Sequence, residues 1–247
     1  MEEKIEIHET KRVEEALMVL GFPDTGLVGA IAATYLAEKT GMIEIGFIDS
    51  PYFPPVLPFH KHEPRFPVRI MAKDNIVTIF SEIAIPVPLM TSFAKKLVDY
   101  LIERNSSGVI MLGGIAVPNR IDLQKPTVYG LGITAKDRDF LKSNDIKLLD
   151  EGFLAGVYAQ IVKECIKKKV GGVVLLAESY VNYPDPGAAA AVLEAFSKLY
   201  GYDIDTQPLL DQAEELKIKL RELMKRTMET LRHAQKGYEQ TLPLLYR

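Results

Sequence analysis

Apolar positions along the chain alternate between short continuous runs and stretches of helical period. Ala16 to Phe22, Met42 to Asp49, Gly108 to Leu112, Thr127 to Ile133 and Gly172 to Ala177 are runs of strand length. The last, Gly-Val-Val-Leu-Leu-Ala, is apolar at nearly every position, as in a parallel sheet covered on both faces. Val68 to Ala72 and Asn75 to Glu82 read as a hairpin across Lys73-Asp74-Asn75. Helices are expected between these runs. One spans about Gly26 to Lys39, capped by Asp24 or Thr25, and one opens at Pro88 and runs to Arg104. A short one is capped by Thr134, and Pro184-Asp185-Pro186 leads into one from Gly187 to Tyr200. Gly152 to Lys168 carries Phe153, Val157, Ile161 and Cys165 as a stripe facing a core. Strands alternating with helices predict a doubly wound α/β sandwich with a largely parallel sheet.

The pattern changes after residue 207. Pro208 to Lys236 has no glycine, is dominated by charge, and keeps Leu209, Ala213, Leu216, Leu220 and Leu223 at spacings of three and four. This predicts a helix of about 40 Å at ~1.5 Å per residue. Its apolar stripe is narrow, so the helix packs on the body or on another subunit, and Gly237 is placed to end it. The chain therefore divides into an α/β core, 1–207, and a C-terminal helix with a flexible tail, 208–247. The tail stops on Leu245-Tyr246-Arg247: apolar area, a ring with a hydroxyl, and a terminal carboxylate that a basic pocket can hold.

Composition narrows the function classes. Apolar residues at 47% supply a core without disulfides, and one cysteine fits a reducing cytoplasm. A net charge of −3 with balanced signs gives no footprint for nucleic acid or an anionic membrane. The longest apolar run, Gly26 to Ala37, falls short of the ~20 residues a bilayer requires.

Candidate chemistry is sparse. Gly21-Phe-Pro-Asp-Thr-Gly26-Leu-Val-Gly29 joins a strand to a helix but has neither the P-loop lysine nor the dinucleotide fingerprint, so close helix–sheet packing is the favoured reading. Asp24, Glu82, Gly113-Gly114 and Glu178 follow strands, where open α/β sheets place ligands. No nucleophile and base stand at diagnostic spacing, so no catalytic residue is assigned, and neither metal nor cofactor is expected. His60-Lys61-His62-Glu63 lacks zinc-site spacing and reads as a solvated loop. Pro51 to Pro58, with four prolines, is an extended loop that serves either as a partner surface or as a rigid crossover.

Gly21 to Leu36, the Pro-rich crossover, Leu112-Gly113-Gly114-Ile115, Gly130-Leu131-Gly132, Gly152 to Gly156, Glu178 to Pro186 and the helical tail occur in an order that resembles the proteasome assembly chaperone family, its archaeal homologues in particular. The resemblance implies a nucleoside-phosphorylase-like α/β body without catalytic apparatus. It also implies docking on the α ring of the core proteasome through C-terminal hydrophobic-Tyr-any tails. On this chain the partner-binding residues are then Leu245, Tyr246 and Arg247.

The expectation is an ATP-independent, non-enzymatic, cytoplasmic proteasome activator or assembly-chaperone homologue. One tripeptide gives modest affinity, so several tails per particle are needed, and a homo-oligomer (a tetramer) follows, with Leu216, Leu220 and Leu223 as its assembly surface. The alternatives are a nucleoside- or nucleotide-handling hydrolase using the strand-end carboxylates, and a chaperone acting through its body alone.

Overall fold

A computed structural model describes residues 5–239. The elements run β1 (Glu6–Glu9), β2 (Leu17–Gly21), α1 (Val28–Thr40), β3 (Ile43–Asp49), β4 (Phe59–His60), β5 (Glu63–Pro64), β6 (Val68–Lys73), β7 (Ile76–Ser81), α2 (Met90–Glu103) and β8 (Gly108–Ala116). They continue as β9 (Val128–Gly132), α3 (Ala135–Ser143), β10 (Lys147–Leu148), α4 (Gly156–Lys168), β11 (Gly172–Ser179), α5 (Pro186–Tyr200), α6 (Gln207–Asp211), α7 (Ala213–Lys219) and α8 (Arg221–Glu239).

Nine strands form one mixed sheet in the order β1-β3-β6-β7-β2-β8-β11-β9-β10, and β4-β5 is a separate small hairpin. The central four, β7, β2, β8 and β11, are parallel, and antiparallel strands flank them on both sides. The α/β sandwich expected from the sequence is the fold observed, with the parallel portion at its centre.

Alternation along the central strands divides the side chains between two cores. Met18, Leu20, Val109, Met111, Val174 and Leu176 face α2 and α4. Val19, Ile110, Leu112, Val173, Leu175 and Ala177 face α1, α3 and α5. Each such Val or Leu, removed from water on folding, contributes about 1.5–3 kcal/mol before entropy is counted. The near-continuous apolar run of β11 is thus explained: both of its faces are covered.

Several elements depart from the sequence reading: α8 continues through Gly237, which was expected to end it, and the segment around His60 and Glu63, read as a loop, pairs as the β4–β5 hairpin. Helix α4 starts at Gly156 rather than Gly152, and Gly156 has φ +69. Phe153 consequently lies ahead of the helix and is 83% exposed instead of facing the core. β8 passes through Gly113-Gly114 to Ala116. The C-terminal helix is not one straight rod. It is interrupted at Gln212 and Leu220, whose backbones leave the helical region (φ −94, ψ 9 and φ −93, ψ 3) while 2.9–3.2 Å bonds of helical spacing still run through them. Leu209, before these interruptions, and Met224, after them, both join the second core.

Candidate partner surface and strand-end cleft

The sheet changes winding direction between β2 and β8. β2 connects through α1 to strands on one side, and β7 connects through α2 across β2 to β8 on the other. The carboxyl ends of two such strands diverge and leave a crevice, the usual ligand position in open α/β sheets. Here Asp24 bridges it. Its carboxylate accepts hydrogen bonds from the Gly29 N–H at 3.1 Å, in the first turn of α1, and from the Gly114 N–H at 2.6 Å, on β8. These are the backbone donors that would otherwise be offered to an external anion. Asp24 is buried, and among the described residues no ion pair involves it. Burial pushes its carboxyl up to about 8, against the opposing pull of the N–H donors of Gly114, Gly29 and Asp24 itself.

Close packing fixes this arrangement. A Cβ at Gly29 would stand 2.2 Å from the Leu112 carbonyl and 2.4 Å from the Tyr158 hydroxyl, so only glycine lets α1 lie this near β8. Gly26 adopts φ +65, and a side chain there would meet Ser179. The glycine-rich stretch from Gly21 to Gly29 is therefore packing and turn chemistry, as its lack of a nucleotide fingerprint suggested. Tyr158, which the sequence reading did not single out, accepts from the Phe22 N–H at 2.9 Å and donates to the Leu112 carbonyl. Its phenol is held well above the ordinary range, first by burial and then by the nearby Asp24.

A cavity of about 370 Å³ opens beside Asp24 and Tyr158, between β8, β9 and the segment preceding α4. Ile115, Leu131, Leu149, Leu154 and Leu176 wall it, and Asp150, Glu151 and Phe153 stand exposed at its edge.

The other strand-end carboxylates are elsewhere. Glu82 sits under the C-terminal helices, with His60 Nε2 at 2.8 Å and an Arg69 guanidinium nitrogen at 2.5 Å. This contact also gives His60 a role: it ties the β4–β5 hairpin to the end of β7. Glu178 receives the Thr127 N–H at 2.8 Å, joining β11 to the start of β9. Thus Asp24, Glu82 and Glu178 serve three separate local structures and do not converge on one cavity. Among the described residues no group of three or more His, Cys, Asp or Glu side chains is placed to hold a metal. Cys165 is buried, and burial followed by Glu164 and Asp137 pushes its thiol up to about 12, where it behaves as a small core residue.

A strong pair also missed from the sequence is Arg120 with Asp185. The guanidinium donates Nε to Oδ2 at 2.7 Å and an Nη to Oδ1 at 3.0 Å, both groups being buried. Asp185 simultaneously caps α5 through the Ala188 N–H at 2.9 Å. The Asp-Pro that opens α5 signalled the cap; the arginine, 65 residues away, gave no signal.

On the partner side, Leu216, Leu220 and Leu223 are partly buried against the chain's own second core, and their remaining surface lines an open groove with Ile31, Tyr35 and Leu209. Helix α8 lies over the turns that follow β2 and β7. It buries Met224 and Thr227 there, the Thr227 hydroxyl being returned to the Leu223 carbonyl at 2.8 Å. The Pro-rich loop presents Tyr52 and Leu57 to solvent, and Phe59, at the start of β4, is 77% exposed. Leu245, Tyr246 and Arg247 lie outside the described residues. Among those described, no helix is long and apolar enough to cross a membrane.

These features define a doubly wound α/β protein whose sheet-end crevice is bridged by its own carboxylate and whose C-terminal helices are built onto the body. The chain belongs to the PAC2 family, whose model matches residues 18–224. The crystal structure of Pyrococcus furiosus PbaA, an archaeal homolog of proteasome-assembly chaperone, is similar with a TM-score of 0.87 at 32% identity, covering 92% of this chain and 99% of that one. Pyrococcus furiosus PbaB, an archaeal proteasome activator, shares the fold with a TM-score of 0.75 at 22% identity, covering 90% of this chain and 99% of that one. An uncharacterised protein of Methanocaldococcus jannaschii is 26% identical over 225 residues, 91% of this chain and 92% of its own length. The chain has the fold of the proteasome-assembly chaperone homologues.

Proposed function

We propose that the protein is an ATP-independent partner of the core proteasome, an activator or assembly-chaperone homologue that docks C-terminal tails on the α ring. The observation that carries the chaperone class is the likeness to PbaA at 32% identity over nearly the whole chain, within a family match spanning both sheet and tail helices. Support for the tail comes from the sequence, where Leu245-Tyr246-Arg247 follows an amphipathic helix. The division of labour is physical: the sandwich is the base, and α6–α8 are anchored on it by Leu209 and Met224. Leu245 and Tyr246 supply apolar area to a pocket between α subunits, and a basic group there pairs with the terminal carboxylate.

A tripeptide holds only weakly, and avidity from several tails on one homo-oligomer raises the affinity. A tetramer assembled through the exposed parts of Leu216, Leu220 and Leu223, acting in the cytoplasm, completes the reading. Its chemistry is binding rather than catalysis, in keeping with the dispersal of Asp24, Glu82 and Glu178.

The test is pull-down of the core proteasome and hydrolysis of a short fluorogenic peptide, with the intact chain, Tyr246→Ala, and a chain lacking residues 245–247. Both variants should lose binding and stimulation by about tenfold or more. Unchanged binding in either one would overturn tail docking and leave the body as the contact surface.

A further inference from the structure

The cavity beside Asp24 combines three properties. Its walls are aliphatic: Ile115, Leu131, Leu149, Leu154 and Leu176. Its charged lining is acidic throughout: Asp24, which is buried, and Asp150 and Glu151, which are exposed. At about 370 Å³ it is within the size range of small-molecule sites.

Asp24 supplies an independent indication. A carboxylate has roughly four lone-pair positions; Gly29 and Gly114 take two, and the N–H of Asp24 itself also acts on the group. A buried carboxyl either meets a cation or keeps a proton, and Asp24, with no cation beside it among the described residues, keeps the proton that a bound ammonium would displace. The other titratable groups lining the cavity are Tyr158 of α4, itself committed to Phe22 and Leu112, and the carboxylates Asp150 and Glu151 of the preceding segment. None of these is cationic.

The geometry points to a binding site for a small organic cation: a primary ammonium set against Asp24, carried on an apolar chain that lies along Ile115, Leu131, Leu149 and Leu154. The ammonium supplies the charge and donors that Asp24 lacks, and the aliphatic body covers the walls. Asp150 and Glu151 draw cations toward the mouth, and the exposed ring of Phe153 adds a face over which an ammonium is attracted. An anionic or phosphate-bearing ligand is disfavoured, because Asp24 already occupies the backbone N–H donors and the carboxylates of Asp150 and Glu151 at the mouth repel a second negative charge.

Hexylamine, hexanol and hexanoate share the chain and differ at the head, so they separate the two contributions. Calorimetric or NMR titration of the full-length protein should show hexylamine binding about tenfold or more tighter than either companion. The Asp24→Asn variant should weaken the amine by a similar factor. A double variant, Asp150→Lys with Glu151→Lys, changes only exposed positions, preserves the fold and should weaken it also. Affinity should rise from about pH 6 to about pH 9, because Asp24 ionises over that interval while an alkylamine, like lysine, stays charged. Absence of amine binding, equal binding of all three probes, or insensitivity to both variants would overturn the site. Binding of a lysine-containing peptide with the free amine silent would overturn the small-molecule assignment and give the cleft to a protein partner.

Discussion

Asp24 shows how much a single residue settles here. With its carboxyl raised in the folded state, the native protein holds a proton that the unfolded chain releases near pH 4. A group whose folded pKa is raised favours the fold fully below the unfolded value, and its contribution is lost as pH rises through the folded one. The window is therefore from about 4 to about 8. Thermal melting of the intact chain should fall with rising pH across this window, and the fall should be shallower in Asp24→Asn, which has no proton to lose. Equal slopes in the two proteins would show that the N–H donors of Gly29 and Gly114 hold the carboxyl in its ordinary range after all. The position of Asp24 just after a strand was legible in the sequence as a candidate ligand or cap. Its bridging of α1 to β8 was not, because Gly114 lies 90 residues further along.

Elements are held in place by a few specific contacts, of which the Arg120–Asp185 pair at the start of α5 is the most demanding. Asp185 accepts from Arg120, from the Tyr180 N–H and from the Ala188 N–H, so one carboxylate caps the helix and fixes two loops. Removing one partner of a buried pair strands the other charge, at a cost of about 3–5 kcal/mol. Arg120→Ala should lower the denaturation free energy by that order, measured by urea unfolding, while Lys125→Ala, on an exposed pair with Glu194, should change it by about 1 kcal/mol or less. Similar small effects for both would mean that the cap alone orders α5. Local signals located most elements correctly: the Thr134 cap forms a capping box with Asp137, and the hairpin turns at Asp74, which has φ +51. They misplaced the start of α4. The stripe through Val157, Ile161 and Cys165 extrapolates back to Phe153, but the segment before Gly156 borders the cleft instead of the core.

At the scale of the molecule, the tail helices and the sandwich share apolar contacts. Leu209 and Met224 are buried in the second core, and Leu216, Leu220, Leu223 and Met228 pack against it. A chain ending at residue 207 would uncover this surface of α1 and α5, so it should melt at a lower temperature than the intact protein and associate more readily, read by calorimetry and light scattering. An unchanged melting temperature would show that 1–207 stands as an independent domain. By itself, the sequence determined the α/β class, the apolar central strands, the change of character after residue 207, the absence of a nucleotide fingerprint and the family resemblance. Each is a matter of local period, local spacing or composition. Only the tertiary structure decided which carboxylate lines a cavity, which arginine meets Asp185, and that the C-terminal helices pack on the body of their own chain. Those outcomes depend on residues tens of positions apart being brought together by sheet order, and the order of strands leaves no periodic trace in the chain.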